Sequence, residues 1–320
     1  MIAPVLVRII AMLASALVAA QMSTVTPVAG AHAAADSARV NGTVYRPIAP
    51  VPAPPKVRAR SWVVVDMVSG HILGRHRARS RLPQASTIKL LTAVTSLHRV
   101  HPTNPLRATR RAGKTICSCA GVKAGRRYSR AMLLSGMLVT SGNDAAEAIA
   151  GADPGGRARF IGAMNRTAAR LGATDTVARN PSGLDQAGAH SSARDLLVFL
   201  REATRRPSIA RWLDTPSTRF GPIGARRHLL TSSTDYLLMY ANSYAAKNGF
   251  TSRAGNTLTA ATLINGRRIG VALLHARSGF TTKGARRLTT WAANNAERLA
   301  PVGRLPGGPS TTPFLTTPAD

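Results

Sequence analysis

Three short stretches carry residues able to do covalent chemistry together: Ser86-Thr87-Ile88-Lys89, Ser141-Gly142-Asn143 and Lys247-Asn248-Gly249. A serine followed three residues later by a lysine places a nucleophile and an amine on one helix face. In this order the three stretches read as a serine acyl-transfer site. Alone, a Ser-x-x-Lys is weak, because about one arises by chance in a chain of this size. The lysines make the pattern specific. Lys and Arg together number 43, yet the only lysines are Lys56, Lys89, Lys114, Lys123, Lys247 and Lys283. Two of them stand where an amine is needed. Arginine cannot give up its proton, whereas a desolvated lysine can.

Each stretch has a definite task. Ser86 at the start of a helix points its backbone N–H into the site, where the helix dipole favours developing negative charge. Lys89 must be neutral to take the Ser86 proton. Moving its pKa from about 10.4 to about 7 represents roughly 4–5 kcal/mol. Burial, the helix N-terminus and a second cation, Lys247, all push that way. The Ser141 hydroxyl can pass a proton to a leaving amine, and the Asn143 amide can hydrogen-bond substrate backbone. The third element runs from Lys247 to Thr251. Lys247 offers charge to a substrate carboxylate, and Gly249 permits close approach of backbone. The N–H after it can complete an oxyanion hole with that of Ser86. Taken singly, each stretch also has a plain structural reading: an N-cap serine with a solvated lysine, a helix-to-helix turn, and a strand-edge lysine before an Asn-Gly turn.

Other chemistries fit poorly. The only glutamates are Glu147, Glu202 and Glu297, too few and too scattered for a carboxylate pair. His228 and Asp235 lack a third ligand in sequence, so neither a metal nor another cofactor is expected. His98 and His101 read as helix-surface residues. No Gly-x-Ser-x-Gly elbow and no phosphate-binding glycine loop occurs. Cys117 and Cys119 are one residue apart, which suggests a local redox feature or a short-ring disulfide without a part in catalysis.

The positioning elements follow from pattern. Trp62–Asp66 is a β-branched run, Ser69-Gly70 a turn, and His71–Leu73 a continuation, which predicts a hairpin. Ile88, Leu91, Val94 and Leu97 predict a helix from Ser86 to about Val100, closed by Pro102 and Pro105. Ser129 caps a second helix that stops near Thr140–Asn143, and Asp144–Ala150 starts another, leaving the second motif in a tight bend. Phe160–Leu171 and Ser192–Thr204 read as helices, and Asn180–Asp185 as an ordered loop. Leu258–Ile264 and Arg268–Leu274 are strands joined by a type I′ turn at Asn265-Gly266. Lys247 precedes them, where another strand should enter. Ala285–Leu299 closes as a helix. Strands at both ends of a helical middle predict an α+β fold, an antiparallel sheet flanked by helices plus a helical region.

At the N-terminus, Arg8, the apolar run Ile9–Ala20 and the small residues around Ala31-His32-Ala33 have the layout of a secretory signal, expected over 1–33. An uncleaved anchor is the alternative. A Pro- and Ala-rich linker is expected over 34–57, a catalytic domain over 58–300 and a disordered tail over 301–320. The formal net charge is +30. It points to polyanions or to an arginine-rich genome. Export disfavours nucleic acid, and no nucleic-acid module signature occurs, so anionic wall polymers are the expected partners.

From about Ser61 to Trp291 the chain resembles the D-alanyl-D-alanine carboxypeptidases, the low-molecular-mass penicillin-binding proteins. The likeness rests on Pro83–Lys89, on Leu133–Ala148 with its Ser-Gly-Asn-Asp-Ala-Ala, on Asn180–Asp185 with His190-Ser191-Ser192-Ala193 and Asp195-Leu196, and on Gly249-Phe250-Thr251 with Ala254-Gly255 and Thr257-Leu258. It implies a serine β-lactamase/transpeptidase-like fold and removal of the terminal D-alanine from peptidoglycan stem peptides in the cell envelope. Ser86 would form the acyl-enzyme, Lys89 act as base, Ser141 relay a proton and Asn143 hold substrate. Lys247 and Asn248 would contact the terminal carboxylate, and the N–H groups of Ser86 and Phe250 would form the oxyanion hole. β-Lactams would acylate Ser86. The third motif usually carries Thr where this chain has Asn248. An arginine late in the fold usually helps bind the carboxylate, and Arg277, Arg286 and Arg287 are the candidates. A β-lactamase is the runner-up, disfavoured because the 180–185 loop has no glutamate. A penicillin-binding module that acylates with little turnover is the non-enzymatic alternative.

Overall fold

A computed structural model of the chain describes residues 37–40 and 42–307; the expected signal segment lies outside the described residues. The N-terminal strands are β1 (Ala38–Val40), β2 (Thr43–Pro47), β3 (Ala59–Asp66) and β4 (Ile72–His76). The middle of the chain holds α1 (Lys89–Arg99), β5 (Leu106–Arg107), α2 (Arg110–Gly113), β6 (Arg127–Tyr128), α3 (Arg130–Leu138), α4 (Asn143–Gly151) and α5 (Gly156–Arg170). There follow α6 (Ala193–Thr204), α7 (Pro207–Leu213), β7 (Ser217–Phe220), β8 (His228–Thr231) and α8 (Asp235–Met239). The chain returns through β9 (Ser243–Thr251), β10 (Gly255–Ile264), β11 (Arg267–Ala276), α9 (Thr281–Asn295) and β12 (Leu299–Ala300).

The main sheet runs β1-β2-β4-β3-β11-β10-β9, with β12 on β2. Every neighbour is antiparallel, so the N- and C-terminal segments knit together at β3 and β11. The sheet is buried on both faces, which is why Trp62–Val65 reads as one apolar run instead of alternating. Its side chains still alternate in direction. Val63 and Val65 pack with α1 and α6 in one core, while Trp62 and Val64 pack beneath α9 in the other. In β11, Ala272 and Leu274 join the first core, Val271 and Leu273 the second.

The helical region is built around α1, whose residues from Lys89 to Ser96 are all buried. It packs against α4, α5 and α6. Its start differs from expectation: Ala85–Ile88 form a 3-10 turn and the α-helix proper begins at Lys89. That turn lies against β9 and β10, so Ser86 stands at the seam between sheet and helices. The expected caps are present. Ser129 accepts from the Met132 N–H and Ser192 from the Asp195 N–H. Asn265 and Gly266 have φ of 51° and 72°, as a type I′ turn requires. Two helices begin four residues earlier than their apolar pattern, α5 at Gly156 and α9 at Thr281.

Two segments differ from the sequence reading. The stretch 34–57, expected as an extended linker, supplies β1 and β2. Tyr45 is buried edge-on against Trp291 with ring centroids 6.0 Å apart, and Trp291 Nε1 donates to the Pro52 carbonyl at 2.8 Å. Of the prolines that suggested a linker, Pro52 thus accepts from α9, and the Pro50 carbonyl accepts from Arg298 just beyond it. Beyond residue 300, the expected disorder does not extend over 301–305. Val302 donates to Ile72 at 2.8 Å, Leu305 donates to Gly70 at 2.9 Å, and Leu305 is 1% exposed. One buried leucine and a few backbone bonds order a segment whose composition looks featureless. Among the described residues no helix is long and apolar enough to cross a membrane.

Candidate active site

Lys89 opens α1 and is wholly buried. Its Nζ lies 2.7 Å from Ser86 Oγ, 2.7 Å from Asn143 Oδ1 and 2.8 Å from the Ser182 carbonyl oxygen. A carbonyl and an amide oxygen can only accept, and a neutral amine has two N–H bonds and one lone pair. Asn143 and Ser182 accept from the amine, and its third neighbour is the Ser86 hydroxyl, which can accept from an ammonium or donate to a neutral amine. Burial holds the Lys89 pKa well below its ordinary value, the charge of Lys247 adds to this, and Asp144 opposes it.

The Asn143 amide is oriented by its other end. Nδ2 donates to the Ile116 carbonyl at 2.8 Å, which leaves Oδ1 facing Lys89. The bend before it is demanding. Ser141 sits in the left-handed region at φ 62°. A Cβ on Gly142 would lie 2.8 Å from Asp144 Oδ1 and 2.9 Å from the Gly136 carbonyl, so only glycine fits. Asp144 then fastens a neighbouring segment: its carboxylate accepts the N–H groups of Ala120, Gly121 and Val122, each at 2.8 Å. Cys117 and Cys119 are bridged, and their loop touches the second motif directly. The Ser118 carbonyl accepts the Asn143 N–H at 2.7 Å.

On β9, Lys247 is wholly buried and burial lowers its pKa to about 7. Its Nζ donates to the Asn248 carbonyl at 2.9 Å and to Asn248 Oδ1 at 3.2 Å. Gly249 brings the strand against the Ala85–Ile88 turn. A Cβ there would lie 2.6 Å from the Ser86 nitrogen. Asn248 is held by its surroundings: Nδ2 donates to the Ser233 carbonyl at 2.6 Å, and Oδ1 accepts from Thr234 Oγ1 at 3.1 Å. Phe250 is exposed beside it. Thr251 Oγ1 donates to Asp185 at 2.8 Å, which ties the end of β9 to the 180–185 loop.

The structure thus joins Ser86, Lys89 and Asn143 in one hydrogen-bonded set, with Lys247 and Gly249 close by. Ser141 lies at the bend outside that set. Asn248 and Thr251 are engaged with protein groups. Next to Asn248, Gly249 and Phe250 opens a cavity of about 310 Å³, lined also by Thr234, Asp235 and Lys283. Each of the three late arginines has a neighbour, and Arg277 directly precedes Ser278 and Gly279 of the cavity lining. Arg277 lies over the Phe280 ring, Arg286 lies over the Tyr240 ring, and Arg287 donates to the Lys56 carbonyl. Sequence reading missed the Ser182 carbonyl, the Asp144 clasp, Thr234 and Lys283. Lys283 alone left a signal, as one of six lysines in an arginine-rich chain. No group of three His, Cys, Asp or Glu residues among the described residues could hold a metal ion.

The family model for peptidase S11, D-alanyl-D-alanine carboxypeptidase, matches residues 49–278. The chain is 36% identical over 228 residues to D-alanyl-D-alanine carboxypeptidase DacB2 of Mycobacterium tuberculosis, covering 71% of this chain and 77% of that protein. It is 33% identical over 260 residues to DacD of Escherichia coli, covering 76% of this chain and 65% of the relative. A crystal structure of a D-alanyl-D-alanine carboxypeptidase from M. tuberculosis H37Rv superposes with a TM-score of 0.74 at 34% identity, over 81% of this chain and 99% of that one. The Streptomyces K15 DD-transpeptidase, at 21% identity and a TM-score of 0.71 over 75% of this chain and 98% of that one, shares the fold. The chain belongs to the D-alanyl-D-alanine carboxypeptidases of serine peptidase family S11.

Proposed function

We propose that this protein removes the terminal D-alanine of peptidoglycan stem peptides through an acyl-enzyme on Ser86. The observation that carries the reading is the Lys89 amine, wholly buried and 2.7 Å from the Ser86 hydroxyl oxygen. Ser86 Oγ attacks the penultimate D-Ala carbonyl while its proton passes to Lys89. The N–H groups of Ser86 and Phe250 hold the oxyanion. Collapse expels D-alanine, whose amine takes up a proton relayed by Ser141. Water, deprotonated by Lys89, then frees the shortened peptide and Ser86.

The cavity beside Asn248 suits the terminal carboxylate, with Lys283 as its cation and Lys247 as the buried charge behind the strand. β-Lactams acylate the same hydroxyl. The sequence layout over 1–33 supports export to the cell envelope, and the +30 charge supports loose, salt-sensitive attraction to anionic wall polymers.

A β-lactamase would need a carboxylate base for the deacylating water. All three glutamates are paired with arginines: Glu147 with Arg157, Glu202 with Arg206 and Glu297 with Arg267. A second reading, an acylating module with slow turnover, is favoured by Asn248, whose amide is already committed to Ser233, Thr234 and Lys247. The test is D-alanine release from a diacyl-L-Lys-D-Ala-D-Ala peptide by wild type and Ser86→Ala. Release that is lost in the variant supports the carboxypeptidase. A folded wild type that forms a stable penicillin adduct yet releases no D-alanine supports the module. Absence of both refutes the site.

A further inference from the structure

We propose that the Cys117–Cys119 disulfide is a positioning device for the catalytic base, holding the segment that turns the Asn143 amide toward Lys89, and that its reduction by a dithiol slows acylation of Ser86. This rests on the reading of Ser86 as the acylated nucleophile.

Residues 116–122 belong to no helix or strand. Burial does not anchor the first half of the segment: the Ile116 side chain is 70% exposed, and Cys117 and Ser118 are exposed too. The second half is fixed by the Asp144 carboxylate, through the N–H groups of Ala120, Gly121 and Val122. The bridge therefore transmits that anchorage back across Ser118 to Cys117. There the segment makes three contacts with the second motif. The Ser118 carbonyl accepts the Asn143 N–H at 2.7 Å, Ser118 Oγ donates to the Thr140 carbonyl at 3.0 Å, and the Ile116 carbonyl accepts Asn143 Nδ2 at 2.8 Å. The last contact decides which end of the amide faces Lys89.

Cys117 is exposed and Cys119 half-buried, so a reductant can reach the bond. A thiolate of the dithiol attacks one sulfur, the S–S bond breaks, and the displaced cysteine leaves as thiolate and is protonated. The second thiol of the reductant resolves the mixed disulfide. The pair gains two electrons and two protons, and the dithiol becomes a disulfide. With the bridge open, the Ile116 carbonyl is free to leave Nδ2 and the amide to rotate. Lys89 then loses an acceptor, or meets an N–H donor that competes with the Ser86 proton for its lone pair. Either change disfavours the ammonium. The charged groups facing Lys89 are Lys247 from β9 and Asp144 from α4, and reduction alters neither.

The experiment uses the full chain and a fluorescent penicillin, with the acylation rate constant followed across pH. Three forms are compared: oxidised wild type, wild type reduced with dithiothreitol and verified by mass after alkylation, and Cys117→Ala/Cys119→Ala. Reduction should slow acylation roughly tenfold or more and move the acid limb of the profile to lower pH. The double variant should match the reduced enzyme and ignore the reductant. A rate that falls while the limb stays in place means mere loosening and overturns the proposal. So does an oxidised enzyme that acylates and is unchanged by reduction, or a slowing by reductant that the double variant does not share. An oxidised wild type that is never acylated overturns instead the reading of Ser86, and this proposal with it.

Discussion

Replacing Lys247 by methionine should change how the stability of the fold responds to pH. Burial lowers the Lys247 pKa from 10.5 to about 7, a difference of 3.5 units (10.5 − 7). That corresponds to about 5 kcal/mol between the two protonation states. Between the folded and unfolded values the unfolded lysine keeps its proton and the folded one releases it. The unfolded state then binds more protons, so stability rises with pH through this window and is lowest below 7. This is opposite in sign to a lysine whose pKa is raised by a carboxylate. From pH 7 to 9 the linkage amounts to about 2 kcal/mol. For a domain of this size that is roughly 5 °C in Tm. Methionine is apolar and of similar length, so Lys247→Met removes the titration with little change in volume. It also removes the charge that helps depress Lys89, so the contribution of Lys89 shrinks in the same direction. Wild-type Tm minus variant Tm should therefore climb by roughly 5 °C between pH 7 and 9 at fixed ionic strength. Calorimetry on both proteins measures it. Parallel Tm curves would mean that Lys247 keeps its proton in the folded protein, and the account of two buried amines competing for charge would fail.

Gly249→Ala puts a methyl 2.6 Å from the Ser86 nitrogen, a backbone atom that cannot step aside. Penicillin acylation should fall roughly hundredfold while circular dichroism stays native; an unchanged rate would show that β9 can slide. In Asp144→Asn an amide replaces a carboxylate that accepts the N–H groups of Ala120, Gly121, Val122 and Ala145. A loss of roughly 3 kcal/mol is expected, read from the urea midpoint, and a midpoint within error of wild type would contradict the clasp. Lys283→Ala should raise KM for the D-Ala-D-Ala peptide roughly tenfold with kcat nearly kept. An unchanged KM would remove Lys283 from substrate binding.

The parts of this molecule visible in its sequence are those set by local chemistry. Caps at Ser129 and Ser192, the Asn265-Gly266 turn and the three motifs each depend on residues a few positions apart. What stayed hidden depends on contacts between distant segments. The Ser182 carbonyl reaches Lys89 across 93 positions, and any residue type could have supplied that oxygen. Tyr45 and Pro52 both meet Trp291 on α9, and β2 pairs with β4 about thirty residues on. Lys283 meets the cavity through the placing of α9 against β10 and β11, which no spacing announces. Asn248 shows the reverse case. Its departure from the usual threonine was plain in the sequence, but its engagement by Ser233 and Thr234 required the fold.

The second motif has a physical reason to set a neutral amide, and not a carboxylate, against the buried Lys89 amine. Lys89 needs acceptors for two N–H bonds, or burial would leave them unsatisfied. A carboxylate in direct contact would supply an acceptor but also a charge, and would hold the amine as ammonium. The chain places a carboxylate one residue further on. Asp144 accepts four backbone N–H groups, so its charge is directed toward the 120–122 segment and the start of α4. Its residual field still favours the ammonium, but burial and Lys247 act against it. Asn143 gives geometry without charge, and Asp144 gives anchorage without contact. The division matters most in this protein, where 43 Lys and Arg face 13 Asp and Glu. In such a surplus many carboxylates pair with an arginine, as Asp153 does with Arg99 and Glu147 with Arg157. Asp144 is instead capped by backbone, and the amine beside it is left free to change its proton.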